Sequence, residues 1–432
     1  MEEVKHVVVV GGGFGGINAA KSLGNAKGIK VTLIDRRNYH LFQPLLYQVA
    51  MADLSPSDIC VPIREICAKF QNTEVILDEV SKIDFRKKQV KLSKKNITYD
   101  YLILACGSTN QYFKNDHWSP HAPGLKSIEN ALQIRQKVLS AFERASASTC
   151  PEERRKNLTF VVIGGGPTGV ELAGALGEIT RYSLAREFSS IDPMSSRIIL
   201  IEGGSRVLSA YPKELSKKAE RALEELGVQI WTNCLVSDIG KDSVKVGHEY
   251  LATNNCIWAA GIGPAKINKN IELEKDRRGT LIVENNCSLK EFPEVYVIGD
   301  QASFTDSSGS PLPAIAPVAI QQGKYVGRSI KADIKGEKLS PFKYFDKGQM
   351  ATIGRNKAVL KIGNIKVSGF FAWITWTLVH INFLVGFRNR FSVLFRWIYA
   401  YYTRRRSSRI IYSEETPLNI ETLSRKSDLK RA

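Results

Sequence analysis

Val7-Val-Val-Val-Gly-Gly-Gly-Phe-Gly-Gly16 runs from four consecutive valines straight into a glycine turn, and the chain repeats the device at Phe160-Val-Val-Ile-Gly-Gly-Gly-Pro-Thr-Gly169. An apolar run without polar alternation marks a strand buried on both faces of a parallel sheet. Helix-compatible stretches follow at residues 17–23 and 170–176. Each copy therefore reads as the first βα unit of a dinucleotide-binding fold. Gly11 permits the tight turn, Gly13 lets the backbone approach a pyrophosphate, and Gly16 lets helix and strand pack closely; Gly164, Gly166 and Gly169 occupy the same places in the second copy. The helix N-terminus then offers its free N–H groups and positive dipole end to the phosphates. One such motif is weak, but two are strong when each precedes a strand that ends in an acid. The acids are Asp35, closing Val31-Thr-Leu-Ile-Asp35, and Glu202, closing Ile198-Ile-Leu-Ile-Glu202. Both are placed to accept hydrogen bonds from ribose hydroxyls, and Glu202 would repel a 2′-phosphate, favouring NAD(H) over NADP(H). Arg206, four residues on, is the side chain that could oppose this preference.

Working outward, Leu102-Ile-Leu-Ala-Cys-Gly107, Cys256-Ile-Trp-Ala-Ala-Gly261 and Val295-Tyr-Val-Ile-Gly-Asp300 are further strand-then-glycine signals. Asp35 follows its turn at the expected spacing of about 20 residues. Glu202 comes later, so a longer helix or an insertion is expected across residues 181–196. The fold class is thus α/β, with two Rossmann-like dinucleotide-binding domains, one inserted in the other. Residues 1–120 and 270–340 would form the first domain and residues 121–269 the second, with the polar stretch 144–157 an exposed connection. Residues 341–432 differ in composition and read as a C-terminal membrane-associating helical segment.

The 432 residues are 43% hydrophobic and 24% charged with 33 glycines, which excludes disordered, collagen-like and multi-pass membrane chains. Seven cysteines without a CxxC pair read as reduced core thiols, with neither a metal site nor a disulfide framework. Cys106, beside Gly107, reads as a small buried hydrophobe. The start of the chain lacks the basic head and apolar middle of a signal peptide, so an intracellular protein is expected. The net charge of +18 is concentrated late: from Pro341 onward 17 Lys and Arg stand against 5 Asp and Glu. A nucleic-acid domain does not suit this segment, because residues 367–387 carry no formal charge; an anionic lipid surface suits both features.

The 367–387 run has the length of a transmembrane span. Ser368, Thr375 and Asn382 recur every seventh position as a thin polar stripe, and His380 and Gly386 oppose insertion. The expectation is therefore a helix lying in the interface. Its arginines (Arg388, Arg390, Arg396, Arg404, Arg405, Arg406 and Arg409) would face the headgroups. A true span, or a helix buried in a homodimer, is the alternative.

At this point the chain resembles a known group. Two nucleotide units, Gly107 and the Gly299-Asp300 pair look like the two-dinucleotide-binding-domain flavoproteins. Within them, Asp35-Arg-Arg-Asn-Tyr-His-Leu-Phe-Gln-Pro-Leu-Leu-Tyr-Gln-Val-Ala50, Gly164-Gly-Gly-Pro-Thr-Gly-Val-Glu-Leu-Ala-Gly174, Ala314-Ile-Ala-Pro-Val-Ala-Ile-Gln-Gln-Gly323 and Gly386-Phe-Arg-Asn-Arg390 closely resemble type II NADH:quinone oxidoreductases. By that resemblance the first unit holds FAD non-covalently through Gly11, Gly13, Phe14, Gly15, Gly16, Asp35, Arg36, Ala105, Gly107 and Gly299. Asp300 would bind the ribityl chain, and Gln43, Pro44 and Gln48 would lie beside the isoalloxazine. NADH would be held by the second unit, at Gly164, Gly166, Pro167, Thr168, Gly169, Glu202, Ala260 and Gly261. Gln321 would meet the quinone, with Ala316, Pro317 and Gln322 on the same side. The family's quinone-side helix often reads Ala-Gln-x-x-x-Gln; here Pro317 stands in the second place and cannot donate a hydrogen bond. Glu171, in the first turn of the second nucleotide helix, either favours the helix dipole or sits where NADH, flavin and quinone converge and relays a proton.

The activity implied is hydride transfer from NADH to FAD and passage of two electrons to a membrane quinone, without proton pumping. The place implied is the cytoplasmic face of a bacterial inner membrane, or the inner membrane of a mitochondrion. Two rivals stand beside it. Sulfide:quinone oxidoreductase needs redox cysteines near the flavin, and no cysteine follows Cys287. A non-catalytic NADH-binding flavoprotein that docks or signals at a membrane would use the aromatic tail alone.

Overall fold

The computed structural model describes residues 4–411 other than 186 and 407. The valine run forms β1 (Lys5–Val10), and its glycine turn leads into α1 (Phe14–Leu23). β2 (Ile29–Asp35), β3 (Thr73–Leu77) and β4 (Tyr101–Leu104) add to the same parallel sheet. The chain then leaves for α2 (Ile128–Ala147) and a second parallel sheet, made of β5 (Thr159–Ile163), β6 (Arg197–Ile201), β7 (Val228–Trp231) and β8 (Asn255–Trp258). α3 (Pro167–Glu178) follows β5. β9 (Val295–Val297) returns to the first sheet, giving the orders β9-β4-β1-β2-β3 and β7-β6-β5-β8. In both sheets the glycine-turn strand is central, which is why its valines and isoleucines are buried on both faces.

The two turns are built alike. Gly11 (φ +107°) and Gly164 (φ +110°) adopt a backbone that side chains avoid. A Cβ at Gly11 would strike the Ala105 carbonyl, and one at Gly164 the backbone between residues 259 and 260. At Gly16 and Gly169 a Cβ would overlap the carbonyl oxygens of Gly11 and Gly164, so helix and strand approach only because both positions are bare.

α4 (Ala316–Ile334) closes the nucleotide core, and the remaining chain departs from expectation. It first forms an antiparallel meander of β10 (Gln349–Gly354), β11 (Lys357–Ile362) and β12 (Ile365–Ser368). Gly174 of α3 lets the Ile353 carbonyl approach so closely that a Cβ would overlap it. Val367 and Ser368 belong to β12, and Gly369 (φ +77°) then breaks the chain direction. Only Phe370–Phe383 is helical (α5), and Gly386 (φ +88°) turns the chain into α6 (Phe387–Thr403). The 367–387 run is therefore not one helix. Fourteen residues give a length of about 21 Å against a hydrocarbon core of about 30 Å. Among the described residues no helix is long and apolar enough to cross a membrane. The part of the basic tail beyond residue 411 lies outside the described residues.

The polar stripe also has another use. Ser368 lies outside the helix and accepts from Lys218 Nζ (2.9 Å), while Thr375 and Asn382 face the interior cleft. The arginines are similarly divided. Arg390 Nε and Nη2 donate to the carbonyls of Leu384 and Asn382, closing the end of α5. Arg396 pairs with Asp58 (3.2 Å) and Arg409 with Glu187. Arg406 is buried, donating to the Met51 carbonyl (2.7 Å) and pairing with Asp53 (3.0 Å) and Glu178 (3.3 Å). Of the seven, Arg388, Arg404 and Arg405 remain exposed. Stronger partners in the core explain the difference: a guanidinium that can reach two carboxylates stays with them.

Candidate active site

The first glycine turn, the start of α3 and one side of α5 open on a single cleft of about 1280 Å³. At the first turn Asp35 Oδ2 accepts from Gly12 N (2.5 Å) and Oδ1 from Arg37 N (2.7 Å). At the second, Glu202 Oε2 accepts from Gly165 N (2.6 Å) and Oε1 from Gly204 N (2.7 Å). Each acid thus anchors its own turn, beside the place where a dinucleotide's ribose would lie. Nothing lies within 4 Å of where a Cβ would stand on Gly13 or Gly166. A side chain there would fill the space a pyrophosphate needs, so both turns fit a dinucleotide.

The far wall of the first site is a relay. Lys126 Nζ donates to Ser108 Oγ (3.1 Å), whose hydroxyl donates to Asp300 Oδ2 (2.6 Å). Burial lowers the Lys126 pKa, while the Asp300 carboxylate opposes that shift. Phe14, Gly15, Arg36, Gln43, Pro44, Ala105, Gly107 and Gly299 line the same cleft. Gln48 does not: its amide donates to Tyr47 Oη (2.9 Å) and accepts from Trp397 Nε1 (2.8 Å), turned away from the first turn. Pro167, Thr168 and Gly261 reach the cleft, whereas Gly164, Gly166, Gly169, Glu202 and Ala260 do not line it. Arg206 is drawn onto its own loop, donating from Nη1 to the Tyr211 carbonyl and Ser216 Oγ and from Nη2 to the Ser209 carbonyl, each at 2.6 Å. These bonds hold its guanidinium to residues 209–216.

On the expected quinone side, α4 turns Ala316, Pro317, Ala319 and Ile320 to the cleft. Gln321 lies one residue further round and clamps the backbone of Phe345, accepting from its N (3.0 Å) and donating to its carbonyl (2.9 Å). Gln322 is buried and accepts from Gly299 N (2.7 Å). Neither glutamine lines the cleft; both hold loops that do. Beside Thr375 and Asn382, the titratable group that α5 brings to this end is His380, not singled out as a site residue by its sequence context. Its Nδ1 lies 2.7 Å from the Trp376 carbonyl, its ring stacks on Trp376 (4.1 Å) and meets Phe42 edge-on (6.2 Å). Phe42 in turn meets Phe14 (5.8 Å), so rings run from the first glycine turn to α5. Burial pushes the His380 pKa down to about 4, which keeps the imidazole neutral.

Glu171 lines the cleft and also a second cavity behind it. Burial raises its pKa to about 8, with a hydrogen bond at the Thr352 backbone opposing the rise. It is a protonated acid at neutral pH. Lys126, Tyr211, Trp258 and His380 complete the lining. Trp258 ends β8 within the Cys256–Gly261 signal, whereas no glycine motif or periodicity announces Lys126, Tyr211 or His380, which reach the cleft from loops and from α5.

Two parallel sheets carrying paired nucleotide turns define a pyridine-nucleotide oxidoreductase of the two-dinucleotide-domain class. The chain accordingly matches the pyridine nucleotide-disulphide oxidoreductase family over residues 5–323, and the NDH2 C-terminal domain over residues 347–406. It is similar to two Mycobacterium tuberculosis proteins. One is the type II NADH:quinone oxidoreductase Ndh, 39% identical across 95% of this chain and 90% of the relative. The other is NdhA, 40% identical across 94% and 89%. The fold is shared with NDH2 from Plasmodium falciparum in complex with NADH (TM-score 0.86, 22% identity, covering 94% of this chain and 100% of that one). The sulfide:quinone oxidoreductase of Aquifex aeolicus is less similar (TM-score 0.73, 21% identity, 89% and 92% covered). The chain belongs to the type II NADH:quinone oxidoreductase family.

Proposed function

We propose that this protein is a membrane-surface flavoenzyme that oxidises NADH and reduces a membrane quinone, with FAD as its resident cofactor. The observation that carries the reading is the continuity of one cleft from the first glycine turn, past Pro167, Thr168 and Glu171, to Thr375, His380 and Phe383 of α5. FAD, when bound, takes hydride from NADH and returns two electrons to a quinone. The chain supplies position and charge. Gly13 and the N-terminus of α1 would receive the flavin nucleotide's phosphates, and Asp300 with Ser108 and Lys126 would hold its polyol. Gly166 and α3 receive NADH, with Glu202 on the ribose.

Quinone reduction consumes protons, and Glu171 is the acid placed to hand one over. Neutral His380, Phe42 and Phe383 form the wall where a quinone ring would rest. Ala316 and Pro317 shape the floor, and Gln321 and Gln322 act through the loops they hold. The exposed aromatic face of α5 and α6, including Phe371, Phe387, Phe395 and Tyr402, would settle in the lipid interface. That docking brings the α5 end of the cleft to the quinone pool. Anionic lipids would meet Arg388, Arg404 and Arg405. The side of the membrane that suits this reading is the one where NADH is present, the cytoplasmic face in a bacterium.

NADH oxidation by the purified holoprotein, with and without a water-soluble quinone, tests the proposal. Turnover should require the quinone and consume one per NADH. Bleaching by NADH without quinone-dependent turnover would favour a binding or signalling flavoprotein instead, and reduction by sulfide would favour the other quinone enzyme.

A further inference from the structure

The second cavity, of about 300 Å³, lies behind α5 and α6 with the β10–β11 hairpin and α3 as its floor. Trp373, Trp376, Trp397 and Tyr401 wall it. Three buried polar atoms of this wall have no partner among the described residues: the donors Nε1 of Trp376, a residue only 3% exposed, and Nε of Arg355, and the acceptor Oδ1 of Asn356. Buried donors are nearly always matched, so two unmatched on one wall call for an acceptor from outside the chain.

The charge of the cavity says which kind. The Arg355 guanidinium stacks on Tyr401 (3.9 Å), and exposed Arg404 and Arg405 join it in the lining. The acids nearby do not cancel them. Asp53 and Glu178 share Arg406, which leaves a single negative charge against Arg355, Arg404 and Arg405, and Glu171 is protonated at neutral pH. An unneutralised guanidinium group with an indole N–H beside it suits an oxyanion. The position says the rest, because the same helix shows solvent a row of apolar side chains, among them Ile398 and Tyr402.

Resting on the membrane-surface reading above, we infer that this cavity receives the phosphate of one anionic phospholipid, its oxygens accepting from Trp376 and Arg355 while its acyl chains follow the exposed face of α6. The bound lipid bridges the membrane helices and α3, the helix that carries Glu171. It is a site separate from the cleft, and it would make attachment selective for headgroup as well as for apolar surface.

The test uses the full-length holoprotein and dihexanoyl phosphatidylglycerol below its micelle-forming concentration, read by native mass spectrometry. Dihexanoyl phosphatidylcholine and inorganic phosphate serve as comparisons. One phosphatidylglycerol should bind in preference to both. Trp376→Phe, which keeps the ring and removes the N–H, and Arg355→Gln should each weaken it about tenfold or more. Arg355 sits at a hairpin turn, so its variant carries the test if the tryptophan variant melts early. Equal binding of inorganic phosphate would reduce the site to a simple anion site, and unchanged affinity in the variants would put the lipid elsewhere; either overturns the inference. Sedimentation with phosphatidylcholine vesicles reads the apolar face alone. Failure there would count against the membrane reading and leave the phosphatidylglycerol titration to judge the cavity.

Discussion

Glu171 lines both cavities, and its chemistry follows from its burial. A carboxyl whose pKa is raised to about 8 holds its proton at neutral pH and releases it as pH rises through that value. Proton delivery to quinone should therefore fail above pH 8, giving an alkaline limb in kcat. Glu171→Gln should lower kcat by about 10²–10⁴-fold and lose that limb, with NADH still bleaching the flavin in a rapid-mixing experiment. The stability sign runs the same way. The unfolded chain gives up this proton at a lower pH than the folded one, so the penalty for burying Glu171 is absent at acid pH and grows from its ordinary range up to pH 8. Glu171→Gln should accordingly gain in Tm over wild type as pH rises from 5 to 8. At Glu202 the two loop hydrogen bonds make alanine a blunt probe, because it would loosen residues 165 and 204 as well. Glu202→Gln keeps one acceptor and removes the charge. The NADH to NADPH ratio of kcat/KM should narrow by roughly tenfold to a hundredfold, the equivalent of about 1.5–3 kcal/mol.

Among elements, the two βα turns do the same job on different ligands. Gly13→Val should give colourless protein if the open space at residue 13 receives the flavin nucleotide's phosphates as proposed. Gly166→Val should stay yellow but resist reduction by NADH, both read from the visible spectrum. These elements were legible because burial on both faces leaves an unbroken apolar run, and because the φ values at Gly11 and Gly164 admit little but glycine. Asp35 was legible from its spacing, and Glu202 only because it closes the apolar run Ile198–Ile201. Other features were not. Gln321 shares a helix with the cleft-facing Ala319 and Ile320, but one residue rotates a side chain by about 100°, and that is enough to send it to the backbone of Phe345. The β10–β12 meander was concealed inside a segment judged by its charge, although Gly363-Asn364 is a hairpin dipeptide. The uncharged 367–387 run took its apparent unity from composition; Gly369 and Gly386, at positive φ, divide it. Lys126 and His380 belong to no motif and meet the cleft only through the tertiary fold.

For the whole molecule, the chain after α6 ties its parts together. Ser408 N donates to the Ala52 carbonyl (3.1 Å), Arg135 Nη1 to the Ser408 carbonyl (3.1 Å), and Arg406 joins Asp53 to Glu178. Arg406→Met would leave two half-buried carboxylates without their cation and should cost about 3–5 kcal/mol, seen as a lower urea midpoint at unchanged m-value. Fixing this segment also fixes α6, and through Trp397 and Gln48 the short helix Leu46–Ala50. The exposed aromatic helices and the cleft are thus parts of one framework, in which a single cleft is proposed to serve NADH at one end and quinone at the other. Anaerobic double mixing measures this most directly. The holoprotein is first mixed with one equivalent of NADH and then with a short-chain quinone, while flavin absorbance is followed. NADH should remove the yellow colour and quinone should restore it within the turnover time, one quinone consumed per NADH. A flavin that stays yellow with NADH, or that stays reduced when quinone is added, would contradict the proposal.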